Sequence, residues 1–278
     1  MTQRSPLRPA RGADQTGYWE QISEQWSAEE SDLLWRRHSD DVNSALLRRW
    51  LPDGAPDILL KTDLFDEVHG EGLIPLLQSR GKHVVGMDIA DTAIQRALSN
   101  QTNCSAAKAD VRFLPFDNDV FDVVVSTSTI DHFQTLEEFA CSIGEFRRVL
   151  KPQGCLILTV DNLANPAVFV RNLLPFEIVN RLRLVPYYVG ATCGPRRLSN
   201  MVAREGLVVQ EVTAVEHTPR ILAVALSRLV NRYCDPEIQE FFLRALLTYE
   251  HLNRLPTRFL TGYYVALRAI KPETGQGE

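Results

Sequence analysis

Asp110-Val111-Arg112-Phe113-Leu114-Pro115-Phe116, Phe121-Asp122-Val123-Val124-Val125-Ser126, Glu145-Phe146-Arg147-Arg148-Val149-Leu150-Lys151-Pro152-Gln153-Gly154 and Cys155-Leu156-Ile157-Leu158-Thr159-Val160 follow one another in mid-chain. The second and fourth runs are short, nearly continuous apolar segments, the pattern of strands covered on both faces. Between them, Leu136 to Leu150 carries apolar residues at helical spacing, and Lys151-Pro152-Gln153-Gly154 stops it. A strand, a helix and a second buried strand make a crossover unit, which builds parallel sheet with right-handed connections.

Upstream the same alternation continues. Ile58 to Phe65 reads as a strand, Gly72 to Arg80 as a helix, and Val84 to Asp88 as a short buried strand. A helix from Thr92 to Ser99 and a weak strand from Ser105 to Val111 follow. Downstream, strands are expected at Leu207 to Val215 and Gly262 to Ile270, with helical sequence from about Ile221 to Arg254 between them and another helical stretch from Asn165 to Tyr188. From Trp19 to Trp50 the pattern is helical, with Ser39-Asp40-Asp41 placed to cap the second of two helices and Pro52-Asp53-Gly54 to end it. The expected fold is α/β: a doubly wound, mostly parallel, seven-stranded Rossmann-like sheet with an antiparallel last strand and helical caps. Its divisions would be a disordered tail at 1–15, a helical cap at 16–54, a ligand-binding α/β domain at 55–272 with insertions near 165–190 and 220–256, and a tail at 273–278.

Composition narrows the function. The chain has 278 residues, 45% hydrophobic and 23% charged, with a net charge of -5, which suits one core domain carrying a cap. Acids and bases are mixed along it, so it lacks the clustered basic surface that a nucleic-acid backbone demands. Five cysteines without a Cys-x-x-Cys pair argue for reduced thiols in the cytoplasm and against a disulfide framework or zinc. No apolar run is long enough for a membrane span, and Arg4, Arg8 and Arg11 precede no apolar core of a signal peptide. A homodimer is left open.

In doubly wound sheets, ligands bind beyond the carboxyl ends of the strands. Three features fall there. Asp66-Glu67-Val68-His69-Gly70-Glu71-Gly72 offers a glycine-bearing turn that lets a ligand approach the backbone. Asp88, with Ile89 beside it, ends the second strand, where an acid can accept from both hydroxyls of a ribose. Asp110-Val111 offers a carboxylate for an adenine amino group and a backbone amide for a ring nitrogen. Any one of them alone reads as an ordinary turn or helix cap.

Together, and with the run from Asp110 to Gly154, these residues resemble the class I S-adenosylmethionine-dependent methyltransferases, especially those acting on small molecules. The resemblance covers about Ile58 to Val160 and, more weakly, the rest of the chain, where the family ends in an antiparallel pair of strands. It implies S-adenosyl-L-methionine as cofactor, a small-molecule acceptor, and Ser126 and Thr127 beside the cofactor. The first motif departs from the family pattern of an acid followed by three alternating glycines. Asp66 stands in register with the acid, and Gly70 and Gly72 with the last two glycines, but Val68 replaces the first. Lys61-Thr62-Asp63 is unusual in a buried strand, and Asp63 is the other candidate for the motif's carboxylate.

The acceptor's chemistry is sought after the fourth strand, in Ser126-Thr127-Ser128-Thr129-Ile130-Asp131-His132-Phe133. His132, with Asp131, is the candidate general base, set against simple packing at a helix start. Asp161-Asn162 alone is one hard oxygen pair too few for a magnesium site, so no metal is assigned. Tyr18, Trp19 and Trp26, with Pro186-Tyr187-Tyr188-Val189-Gly190, are candidates to close over an acceptor, aromatic rings covering much area with few rotamers. Two other readings stand beside methyl transfer: non-methylating use of the same cofactor (internal cyclisation or aminocarboxypropyl chemistry), and a non-catalytic member of the fold.

Overall fold

The computed structural model describes residues 15–25, 33–69, 72–100, 104–181, 185 and 187–273. The amino-terminal half runs α1 (Thr16–Gln25), α2 (Leu33–Trp50), β1 (Ile58–Thr62), α3 (Phe65–His69), α4 (Ile74–Arg80), β2 (His83–Asp88), α5 (Asp91–Asn100), β3 (Ser105–Lys108), β4 (Phe121–Thr127) and α6 (Leu136–Val149). The rest runs β5 (Leu150–Asp161), α7 (Pro166–Leu173), α8 (Phe176–Arg181), α9 (Pro195–Arg204), β6 (Val208–Val215), α10 (Arg220–Tyr233), α11 (Pro236–Leu247), α12 (Arg258–Thr261) and β7 (Tyr264–Ile270).

The seven strands form one sheet in the order β3-β2-β1-β4-β5-β7-β6. β1 to β5 pair in parallel, and β7 runs antiparallel to both β5 and β6. The order reverses between β1 and β4, and their carboxyl ends flank the crevice where a ligand fits such a sheet. Period-two alternation sends successive strand residues to opposite faces. Leu60, Val124, Leu156 and Leu158 pack with Phe139, Ile143 and Phe146 of α6 and with Leu198 and Val202 of α9. Leu59, Val123, Val125 and Ile157 pack with Leu46, Leu47 and Trp50 of α2 and with Ile74 and Leu77 of α4. Each such side chain contributes about 1.5–3 kcal/mol by leaving water. The carboxyl half of α2 is therefore core rather than cap.

The Asp110–Gly154 run is held as a unit. Arg148 donates to the Leu114 and Phe116 carbonyls at 2.9 and 2.7 Å, and Glu145 accepts from the Leu114 amide at 2.7 Å. Thr135 and Glu138 cap the start of α6 reciprocally.

Several expected boundaries are corrected. β1 stops at Thr62 rather than Phe65, because Asp63 turns the chain at φ 75° and Phe65 opens α3. α4 starts at Ile74, not Gly72. α2 runs unbroken through Ser39, whose hydroxyl donates to Glu216 instead of capping a helix. Lys151-Pro152-Gln153-Gly154 does end α6, but as a bulged start of β5, with Gln153 at φ 65° and the register slipping between Phe121 and Val123. α9 was not expected, although Leu198 and Val202 stand four apart on its buried face. The expected tails lie outside the described residues except for Gln15, which is buried, and residue 273.

Candidate active site

The strand ends open onto a cavity of about 2320 Å³. At its floor lie two carboxylates. The Asp63 amide donates to the Met87 carbonyl at 2.8 Å, which ties the turn after β1 to β2. Asp88 accepts from the Leu64 amide on one oxygen and from the Ala90 amide on the other, each at 2.9 Å. Each oxygen keeps a second lone pair for a ligand hydroxyl. Burial raises the pKa of both acids, and for Asp63 the nearby Asp88 charge adds to the rise. Two adjacent, half-starved carboxylates favour a ligand that brings donors and positive charge.

Along the same wall, the Asp110 carboxylate is gripped by Arg112 through Nε and Nη2 at 2.6–3.1 Å. Arg112 also reaches Glu138. The Val111 amide enters no hydrogen bond among the described residues, and the Thr127 hydroxyl is buried without a partner. Val111, Thr127 and Ile89 all line the cavity. These unmet groups, with Asp63 and Asp88, fit a nucleoside carrying a cationic amino-acid tail.

The loop after β1 is built differently from a glycine turn. Lys61 is wholly buried; its Nζ donates to the Asp63 carbonyl at 2.6 Å and to Glu67 at 2.9 Å. Burial alone would lower the lysine's pKa, but the Glu67, Asp66 and Asp63 carboxylates overcome it, so the net shift is upward. The other Glu67 oxygen accepts from the Leu73 amide at 2.9 Å, closing the loop. Gly72 sits at φ 58°, and a Cβ there would lie 2.5 Å from the Glu67 carboxylate. Gly72 is thus glycine to admit Glu67, and it does not line the cavity. Asp66, in the first turn of α3, does line it and stands 3.9 Å from Arg36.

Another part of the lining is aromatic. His132 packs against Trp19 at 4.8 Å and Tyr187 at 5.4 Å between ring centroids, and Tyr187 meets Phe65 at 5.9 Å. His132 Nδ1 lies 3.1 Å from the Tyr188 carbonyl. A carbonyl only accepts, so the neutral ring carries its proton on Nδ1 and its lone pair on Nε2. The segment carrying Tyr187 and Tyr188 is laid against this site: Gly190 and Ala191 donate to the Asp131 and Phe133 carbonyls, and a Cβ on Gly190 would meet the Phe133 carbonyl at 1.8 Å. The Tyr188 amide donates to the Tyr18 hydroxyl at 2.7 Å, joining α1 to that segment. Burial pushes the Tyr18 pKa up to about 12.

Asp131 lies beneath this wall, fully buried, and does not line the cavity. One oxygen accepts from the Asp161 amide at 2.9 Å and from Ser128 at 3.0 Å, so its side chain ties the ends of β4 and β5 together. Ser126, Tyr18 and Tyr188 also stand back from the cavity surface, whereas Trp19, His132 and Tyr187 reach it. Gly70, Trp26 and Pro186 lie outside the described residues. Asp161 and Asn162 are engaged elsewhere: Asp161 binds Arg171 at 2.7 Å, and the Asn162 amide donates to the Phe259 and Gly262 carbonyls.

Residues that sequence reasoning missed lie at the far end. Arg220 faces the rings of Trp35, Tyr263 and Tyr264 at 4.6–5.7 Å and donates to the Tyr264 hydroxyl at 2.6 Å. Arg171 donates to the Tyr263 hydroxyl at 2.8 Å. No local motif marks them, since α2, α7, α10 and β7 meet only in the folded chain.

Residues 69–158 match the family described as Methyltransferase domain. A stretch of 78 residues is 33% identical to the human protein named Probable tRNA methyltransferase 9B, and covers 28% of this chain but 17% of that one. Another of 92 residues is 32% identical to Uncharacterized protein MJ1252 of Methanocaldococcus jannaschii, covering 33% of this chain and 35% of that one. The chain thus spans well under half the length of these curated relatives. In fold it resembles the [4+2]-cyclase SpnF (TM-score 0.57, 17% identity, 89% of this chain and 85% of that one). It resembles equally a putative methyltransferase solved with the Haloferax volcanii Trm112 activator (TM-score 0.57, 16% identity, 94% and 99%).

Proposed function

We propose that this chain, which carries a class I methyltransferase domain, transfers the methyl group of S-adenosyl-L-methionine to a small acceptor bound in the aromatic half of the cavity. The observation that supports this most is the gathering of unmet polar groups at one end. Asp63, Asp88, the Val111 amide and the Thr127 hydroxyl line the same cavity as Trp19, His132 and Tyr187. Asp88 would take the ribose hydroxyls, Asp63 the amino group, and Asp110 with Val111 the adenine edge; Asp66, Ile89 and Thr127 complete the proposed pocket, with Ser126 behind Thr127 and Gly72 shaping the loop from outside it.

When bound, that cofactor supplies a methyl group on a sulfonium, displaced in line by a nucleophile. The chain's own contribution is to exclude water, align the acceptor and remove its proton. Holding two reactants in register accounts for much of such a rate. His132, with its lone pair on Nε2, accepts the acceptor's proton as its bond to carbon forms, while the Tyr188 carbonyl steadies the imidazole. Asp131 positions this wall from below, through the Asp161 amide. Trp19 and Tyr187 cover the acceptor, backed by Tyr18 and Tyr188.

A small acceptor suits an interior cavity, and no single basic surface was expected from the charge pattern. All five cysteines are free, which suits the cytoplasm, and among the described residues no helix is long and apolar enough to cross a membrane. One fold neighbour is titled a cyclase, so turnover without acceptor is the reading to separate. Incubation with S-adenosylmethionine, followed by mass spectrometry, does so. S-adenosylhomocysteine formed only with an acceptor supports methyl transfer. Methylthioadenosine alone, or no binding of either nucleoside, overturns it.

A further inference from the structure

The far end of the cavity holds a guanidinium that the transfer of a methyl group does not require. Arg220 is the first residue of α10. One edge of it is committed: Nη1 donates to the Tyr264 hydroxyl at 2.6 Å and to Glu216 at 3.4 Å. Glu216 is fully buried, accepts from Ser39, and has its pKa raised by that burial. Tyr263 and Trp35 add their ring faces at 4.6 and 5.4 Å. This cage fixes the plane of the group. The other edge is different. Among the described residues nothing accepts from Nε or Nη2, the side chain keeps 30% exposure, and Arg220 lines the cavity.

Arg171 nearby offers a contrast. Its nitrogens are spent on Asp161, Tyr263 and Asn172, and only 10% of the side chain is exposed. A caged guanidinium with one edge open to a cavity is a receptor for a planar or tetrahedral oxyanion, which it binds through two parallel N–H donors. The wall beside it is apolar and open: Val170, Leu174, Ile221 and Leu222 line the cavity and are 39–64% exposed.

We infer that the acceptor is an amphiphilic anion whose carboxylate or phosphate is received by Arg220 while its apolar body lies against Val170, Leu174, Ile221 and Leu222. The inference rests on the aromatic half of the cavity being the acceptor site.

Calorimetric titration of the full chain with octyl phosphate, octanoate and 1-octanol, each with and without S-adenosylhomocysteine, tests it. At least one anion should bind the wild type tenfold or more tighter than octanol. Arg220→Met should cut that preference below threefold while leaving S-adenosylhomocysteine affinity within twofold. If Arg220→Met does not fold, Arg220→Lys decides, because it keeps the charge but loses the fork: the preference should fall at least threefold. Equal binding of octanol and both anions to the wild type overturns the inference. So does an unchanged preference in the variant that folds. A variant that loses S-adenosylhomocysteine affinity instead also overturns it, since Arg220 would then serve the cofactor's own carboxylate. Failure of the wild type to bind S-adenosylhomocysteine sinks the cofactor reading, and the titrations without it still judge the anion site. Co-sedimentation with phosphatidic acid vesicles, against phosphatidylcholine, distinguishes a lipid source of the anion (Arg220-dependent pelleting) from a soluble one (none).

Discussion

Lys61→Met is the most informative single change, because it strikes the device that stands where a glycine turn was expected. Lys61 and Glu67 are both fully buried and 2.9 Å apart. Removing the lysine leaves the Glu67 charge in the core beside Asp63 and Asp66. Breaking one side of a buried pair costs about 3–5 kcal/mol. At about 2–4 °C per kcal/mol for a large domain, the melting temperature should fall by roughly 6–20 °C. A second substitution separates charge from shape. Glu67→Gln keeps the oxygen that accepts from the Leu73 amide and removes the charge, so Lys61→Met/Glu67→Gln should regain most of the lost stability. It should not regain ligand affinity, because the Lys61 bond to the Asp63 carbonyl is still missing and the turn at Asp63 is less well held. Differential scanning calorimetry with S-adenosylhomocysteine titration reads both quantities. A single variant as stable as wild type, or a double variant no more stable than the single, would refute this account of the loop.

Other outcomes follow from the site. Asp88→Ala should weaken S-adenosylhomocysteine binding by about 1–3 kcal/mol; equal affinity by calorimetry would remove Asp88 from the pocket. Trp50→Ala should cost about 3–5 kcal/mol in urea unfolding, since the ring is 2% exposed against the sheet; a loss under about 1 kcal/mol would return α2 to the status of a cap. His132→Ala should lower single-turnover rates about a hundredfold with cofactor affinity kept, and a near-normal rate would leave positioning alone to explain turnover. Asp40 should make stability pH-dependent. Burial, then Asp66 and Glu67, raise its pKa to about 8 from about 3.9 unfolded, so the folded chain binds that proton more tightly. Its stabilising effect is complete below about pH 4 and is lost as pH rises to about 8. Asp40→Asn should therefore gain on wild type by about 2–4 kcal/mol between pH 5 and pH 8; a constant difference in melting temperature across that range would contradict it.

The parallel core was legible because its signals are local. Phe121 to Ser126 and Cys155 to Val160 are apolar on both faces, and the helix between them carries its own stop. Asp88 and Asp110 both line the cavity, Asp88 at the end of β2 and Asp110 two residues beyond β3, which stops at Lys108 rather than Val111. The first loop was not legible. Spacing sets Asp66, Gly70 and Gly72 in register with the family motif, but β1 ends three residues sooner than Ile58-to-Phe65 suggests, and what shapes the loop is a lysine six residues before its partner glutamate. A buried ion pair has no periodicity, so Lys61 read only as an oddity in an apolar strand. Asp131 was equally opaque: its proximity to His132 suggested chemistry, yet its side chain points to the Asp161 amide thirty residues on. Arg220 was beyond reach, since its cage is assembled from α2, α10 and β7.

The charges of the cavity give it a direction. At the floor, the Asp88 charge opposes ionisation of the neighbouring Asp63, a strain that a bound cation relieves. At the far end, the positive charge of Arg171 is consumed by Asp161 at 2.7 Å, whereas among the described residues that of Arg220 is paired with Glu216 alone, whose own ionisation burial opposes. The strand ends thus carry the acidic groups and the start of α10 a guanidinium with one open edge, and Tyr187 lies near enough to feel the charge of both Asp63 and Arg220. On the proposed reading, a sulfonium-bearing ligand is drawn to the acids and an anionic acceptor to Arg220. Such a field would orient both proposed reactants before any contact at the reacting atoms. Reversing it with Arg220→Glu should therefore harm acceptor binding more than Arg220→Met does, and a KM no worse than that of Arg220→Met would show that the field plays no part.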